Sequence, residues 1–137
     1  MDHQLFEISQ NVILVRPDGA VLILEHKSGG KWLLPGGRIN KGEGWLDGLK
    51  REVHEEAGIT DFNIKQVLDF DTWTDDGSNI GHCVVTFVAT VSDDNVNLGD
   101  EHISYAWIKE MDIGRYDFWS ENIKKRILKL LNQRSEK

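Results

Sequence analysis

Cysteine is almost absent from this chain: Cys83 stands alone among 137 residues. A single thiol excludes an internal disulfide and any zinc cluster built on cysteines, and its place between His82 and Val84 in an apolar run predicts a small buried residue. Proline is nearly as scarce, and its two positions fall in turn sequences, Pro17-Asp18-Gly19 and Leu34-Pro35-Gly36-Gly37. With no Pro/Ser-rich linker and no internal repeat, the chain reads as one domain over residues 1–137. No apolar segment approaches the roughly 20 residues that cross a bilayer, and no positively charged start leads into an apolar run. The expectation is a protein without a membrane partner, unsecreted and cytoplasmic. Positive charge is also in deficit, with 16 Lys and Arg against 23 Asp and Glu, a formal charge of −7. That balance disfavours a long nucleic-acid partner and favours a small ligand, whose own negative charge a metal site would accommodate.

What the chain does hold is a concentration of carboxylates and glycines between Gly37 and Ile59. From Trp45 to Ala57 the apolar residues Trp45, Leu46, Leu49, Val53 and Ala57 recur at three- and four-residue intervals, which predicts a half-buried helix. On that helix Glu52, Glu55 and Glu56 stand at i, i+3 and i+4, so three carboxylates leave one side within a turn. By itself such a run reads more readily as a solvated acidic face with Lys50 and Arg51 as ion-pair partners. The surroundings favour a metal site. Leu34 to Gly37 form a strand end and a tight Gly-Gly turn, where bare backbone can offer a carbonyl to a cation or approach a phosphate. A hard divalent ion such as Mg2+ or Mn2+ prefers oxygen ligands of this kind and completes its shell with water and substrate phosphates. Gly58 is placed to end the helix before Ile59 opens the next apolar segment.

These residues carry a resemblance. Gly37, Glu43, Arg51-Glu52, Val53, Glu55-Glu56, Gly58 and Ile59 are spaced like the signature of the Nudix hydrolases, with every defining position filled. The resemblance implies that Glu52, Glu55 and Glu56 bind metal with the Gly37 carbonyl, and that Arg51 and Glu43 pair to hold the helix against its loop. It implies hydrolysis of a nucleoside diphosphate linked to a further group, with Mg2+ or Mn2+ as cofactor and a small nucleotide as partner. A glutamate then takes the proton of the attacking water. Glu52 and Glu55 are the candidates inside the signature, and Glu101, in Gly99-Asp100-Glu101-His102, is the candidate outside it. Two local departures stand out: Gly44 occupies the N-cap where serine or threonine would serve better, and Gly48 lies inside the helix at a cost of about 1 kcal/mol relative to alanine. Close packing of the helix on a sheet would explain Gly48.

Around this segment, Asn11–Arg16 and Ala20–Glu25 read as strands of a hairpin, and Trp32–Leu34 as a short strand into the glycine turn. Asn63–Asp71, His82–Val91 and Ser104–Ile108 read as further strands. Trp119, Ile123, Ile127, Leu130 and Leu131 keep a helical interval, with Lys124, Lys125, Arg126 and Lys129 expected outward. The fold class is therefore α/β (α+β), an α/β/α sandwich with a central mixed sheet, the carboxylate helix on one side and the C-terminal helix on the other. The chain is expected to act as a monomer or homodimer.

The substrate is less legible. Trp73, Tyr105 and His26 are the candidate substrate-binding residues, with Phe70, Phe118 and Asp71 behind them; any aromatic could stack on a base, although an aromatic in a strand is more often core. Between Thr60 and Val91 there is neither the proline of the family's ADP-ribose subgroup nor the tyrosine of its dinucleoside-polyphosphate subgroup, and no cysteine stands where the related isoprenoid isomerases need one. The expected reaction is cleavage of a nucleoside triphosphate, oxidised or not, to monophosphate and pyrophosphate. The alternatives are a nucleotide-sugar or other nucleoside-diphosphate hydrolase, or a module that senses nucleotides without cleaving them.

Overall fold

The structure, a computed structural model, describes residues 2–135. Seven strands, β1 (Leu5–Val15), β2 (Val21–His26), β3 (Trp32–Leu33), β4 (Gly36–Arg38), β5 (Asn63–Trp73), β6 (Ile80–Thr90) and β7 (His102–Ile108), form one sheet with two helices, α1 (Trp45–Ala57) and α2 (Glu121–Ser135). The sheet is mixed. β1 runs parallel to β6 along its whole length, from Leu5 opposite Ile80 to Val15 opposite Thr90, while β5 pairs antiparallel with β6 and both β3 and β7 pair antiparallel with β2.

Burial follows the alternation of side chains along a strand. Ile13, Val15, Val21 and Ile23 pack in a core with Ile123, Ile127 and Leu130 of α2, whereas Val12, Leu14, Leu22 and Leu24 pack in a second core with Leu49, Val53 and Ala57 of α1. The sheet thus has one helix on each face. This also explains why β1 and β2 contain unbroken aliphatic runs: strands covered on both faces have no solvent side to mark with polar residues.

The expected hairpin is reduced to a corner. Its turn forms as its residues dictate, with the Asp18 carboxylate accepting from Arg16 Nε at 2.9 Å and from the Ala20 N–H at 3.1 Å. Beyond it, however, β1 and β2 pair at Val15 and Val21 alone, because β1 gives its edges to β6 and β4. The first strand also begins at Leu5 rather than Asn11, so much of the segment before Ser9, which has little signature of its own, is sheet. Met1 lies outside the described residues.

Three expectations about individual side chains are corrected. Cys83 is half-buried rather than fully enclosed. Trp119 precedes α2 and is exposed, not part of the apolar stripe. Arg126 is buried instead of turned outward. The helical geometry gives the reason: Arg126 is three residues after Ile123 and four before Leu130, so it shares the face that packs on the sheet. Its polar type, not its position, suggested solvent.

Candidate active site

α1 has the bounds its periodicity predicts and starts without a side-chain cap at Gly44. Gly58 ends it at φ 69°, a left-handed conformation costly for any residue with a Cβ, and its N–H donates to the His54 carbonyl at 2.9 Å. The helix is laid against the Gly36-Gly37 turn, which is itself fixed to the sheet by pairing of Gly36 with Asn11 and Gly37 with Gln10. A Cβ on Gly37 would stand 2.6 Å from the Glu52 carboxyl carbon and from Oε1. Only a residue without a side chain lets that carboxylate lie against the turn. Gly48 has a different neighbour from the one anticipated: a Cβ there would meet Glu43 Oε1 at 3.0 Å, with Gln10 Nε2 beyond it at 3.5 Å, so the room is used by a carboxylate rather than by sheet backbone.

Arg51 organises the acidic groups around it. Its Nε and Nη2 fork onto the two oxygens of Glu43 at 2.7 and 3.0 Å, and Nη1 donates to Glu52 Oε1 at 2.9 Å and Glu55 Oε2 at 3.3 Å. Nη2 also reaches the Arg38 carbonyl at 3.2 Å, while Glu43 accepts the Asn40 N–H at 2.9 Å. Loop, turn and helix are thereby tied through one guanidinium. The Glu43 carboxyl is held below its ordinary range, chiefly by the bond from Arg51.

Glu56 is in the opposite situation. It is 9% exposed and accepts the Gly36 N–H at 2.8 Å, yet it has no cationic partner among the described residues. Burial raises its pKa to about 8, against the lowering effect of the Gly36 bond, with the charges of Glu52, Glu101 and Glu55 adding to the rise. Glu52 is raised as well, first by burial and then, after the opposing effect of Arg51, by Glu55 and Glu101. Glu101 therefore belongs electrostatically to this group although it is far away in sequence. Its loop is fixed at both ends: the Gly99 N–H donates to the Glu56 carbonyl at 3.2 Å and the Lys27 N–H to the Glu101 carbonyl at 2.8 Å.

Together Gly36, Gly37, Glu52, Glu55, Glu56 and Glu101 line a cavity of about 770 Å³. Asp100 and His102 line it too and went unnoticed in the sequence. His102 is 5% exposed, neither ring nitrogen has a hydrogen-bond partner among the described residues, and burial lowers its pKa. A strand-initial histidine gives no sequence signal of this. Among the described residues no three His, Cys, Asp or Glu side chains are arranged to hold a metal ion without further adjustment, since Arg51 draws Glu52 and Glu55 toward itself. The donor set still fits a hard cation that takes one or two carboxylates and completes its shell with water and phosphate oxygens. Raised carboxylates facing one another are the electrostatic condition that a cation relieves.

A second cavity, of about 490 Å³, shares Gly36 and Gly37 with the first and runs toward α2. Trp73, 46% exposed at the end of β5, lines it. Its ring stacks on His82 at 5.2 Å, and His82 bonds to Glu7 at 3.0 Å and Asp75 at 2.8 Å. Tyr105 and His26 line neither cavity. Tyr105 is on β7 opposite Leu24, and His26 packs between His102 and Trp119 at ring distances of 5.9 and 5.1 Å. Phe118 is core, and Phe70 is exposed on β5. The wall residues missed in the sequence are Trp119 and Arg126.

The NUDIX domain family model matches residues 5–131, and the chain belongs to the NUDIX family; in class it is a Nudix hydrolase, an enzyme. Nucleoside triphosphatase NudI of Escherichia fergusonii is similar, with 27% identity over 117 residues covering 76% of this chain and 83% of that protein. In fold the chain is similar to the MutT protein from Methanosarcina mazei Go1, with a TM-score of 0.76, 24% identity and coverage of 98% of this chain and 99% of that one. It is equally similar to a C. elegans Ap4A hydrolase, with a TM-score of 0.76, 21% identity and coverage of 96% and 99%.

Proposed function

We propose that the enzyme is a divalent-metal-dependent hydrolase of nucleoside triphosphates, releasing the monophosphate and pyrophosphate. The observation that carries this reading is the convergence of Glu52, Glu55, Glu56 and Glu101 on one cavity floored by the Gly36-Gly37 turn. The similarity to a nucleoside triphosphatase supports the substrate class.

The ligands would be Glu52, Glu55 and Glu56 with the Gly37 carbonyl, for Mg2+ or, in its place, Mn2+. What the ion supplies is neutralisation of phosphate oxygens and a more acidic water. The chain's own residues do the rest. Arg51, bonded to Glu43, Glu52 and Glu55, sets where the first carboxylates stand. Glu101, on a loop bonded to α1 and to Lys27 just beyond β2, would accept the proton of the attacking water, with Glu52 and Glu55 as the other candidates. As the water oxygen bonds to phosphorus, the P–O bond to the departing pyrophosphate breaks and the proton passes to the glutamate.

The test is release of pyrophosphate with Mg2+, and separately with Mn2+, from nucleoside triphosphates, nucleotide sugars, ADP-ribose and dinucleoside polyphosphates. Metal-dependent turnover of triphosphates is expected, with Glu52→Gln nearly inactive and still folded. Turnover confined to nucleotide sugars would replace the substrate, and tight binding without turnover of any compound would identify a sensing module.

A further inference from the structure

Arg126 is 7% exposed, and no hydrogen bond or ion pair to its guanidinium occurs among the described residues. A buried arginine is ordinarily paired, and since no nitrogen of this one is among the sealed, unpartnered atoms of the described residues, its guanidinium opens onto a cavity. This one lines the second cavity, which continues from the glycine turn of the carboxylate site. We propose that Arg126 is a specificity-determining residue that reads the base of the substrate by donating to an exocyclic carbonyl, selecting 6-oxopurines and 4-oxopyrimidines over their amino counterparts.

The inference rests on the nucleotide reading above and adds the substrate subclass. Its geometry is that of a base slot. A diphosphate over Gly36-Gly37 directs its nucleoside into the second cavity, whose walls include the exposed rings of Trp73 and Trp119. Both rings are braced, Trp73 by His82 and Trp119 by His26 and by donation of its backbone N–H to the Trp32 carbonyl at 2.8 Å. Stacking on either ring is indifferent to base identity, since every base has a π face. Discrimination then falls to the polar groups of the cavity.

Those groups have a definite polarity. Arginine donates five times and accepts never. Asn11 has its carbonyl oxygen engaged by the Thr86 hydroxyl at 2.6 Å, which leaves its amide as a donor. Gln10, whose amide nitrogen donates to the Trp45 carbonyl at 2.9 Å, sends its side chain to the α1 face of β1 and leaves the slot to Arg126 and Asn11. Two donors match the exocyclic carbonyl shared by guanine, hypoxanthine and uracil. Adenine and cytosine carry an amino group at that position, which would set donor against donor.

Turnover of GTP, ITP and UTP should be compared with that of ATP and CTP in the wild type, Arg126→Gln and Arg126→Leu. Binding of the corresponding monophosphates is followed in parallel by tryptophan fluorescence. A mispaired base edge costs roughly 10- to 100-fold. The wild type should favour the oxo bases by about that factor, with the ITP to ATP ratio as the cleanest comparison. Arg126→Gln, whose amide pairs with adenine, should erase or invert the preference through KM with kcat little changed. Arg126→Leu should erase it while removing a buried charge, which guards against a result caused by misfolding. Equal use of oxo and amino bases by the wild type, or an unchanged preference in both variants, overturns the inference and leaves the hydrolase standing. If no triphosphate is cleaved, the hydrolase reading falls, and the monophosphate titrations still decide whether Arg126 selects the exocyclic carbonyl.

Discussion

Glu56 combines near-complete burial with only one short hydrogen bond, and that combination sets a pH dependence. It is an acid whose value in the folded chain, about 8, lies above its ordinary value of 4.5. The folded state therefore holds its proton more tightly than the unfolded state does. Folding is favoured as pH falls from about 8 toward 4.5, and stability is lost as pH rises through that interval. In chelator, the melting temperature should be higher at pH 6 than at pH 9, with a limiting slope of about 1.4 kcal/mol per pH unit from this group. Glu56→Gln, which keeps an acceptor for the Gly36 N–H, should flatten that slope; an unchanged slope in a calorimetric series would assign it to other groups. Glu101 makes a second test at this scale. As the proton acceptor, its replacement by glutamine should lower kcat by about 10²- to 10⁴-fold while nucleotide binding persists. Activity close to normal would transfer the role to Glu52 or Glu55.

At the scale of elements, the relation of α1 to the Gly36-Gly37 turn is what creates the site. Leu49, fully buried between the helix and β1 and β2, is part of that contact. Leu49→Ala should cost about 2–5 kcal/mol by chemical denaturation, the usual range for a cavity of this kind. Gly48→Ala sets two effects against each other. The helix gains about 1 kcal/mol in propensity, but the new methyl presses at 3.0 Å on a Glu43 oxygen already bound by Arg51 and the Asn40 N–H. The expected outcome is stability within about 1 kcal/mol of the wild type and reduced turnover as Arg51 is displaced. A fully stabilised and fully active variant would show that Glu43 yields without consequence. The helix bounds and the Gly58 cap were legible because periodicity and a left-handed C-terminal residue are local properties. The hairpin forms across Pro17-Asp18-Gly19, but its short extent was not legible, because turn chemistry says nothing of which strands compete for the edges of β1.

Across the whole molecule, one sheet carries a core on each face, and two of the cavities meet at a single turn. Ligation should therefore be felt globally. Mg2+ is expected to raise the melting temperature more at pH 8 than at pH 6, because the cation must displace a proton from Glu56 at the lower pH, and the gain should disappear in Glu52→Gln. An equal gain in that variant would place the bound ion elsewhere. No helix among the described residues is long and apolar enough to cross a membrane.

The chain's own order of residues determined the family, the α1 helix with its three glutamates on one side, the glycine turn and the two-sided burial of the aliphatic strands. Each depends on spacing of a few residues, which a helix or strand converts directly into direction. Tertiary structure alone decided that Glu101 joins the carboxylates, that His102 is enclosed with no hydrogen-bond partner among the described residues, that Tyr105 stands apart from both cavities and that Arg126 faces inward. These outcomes depend on which distant segments the sheet brings together and on how much water remains between them, and no local pattern encodes either quantity.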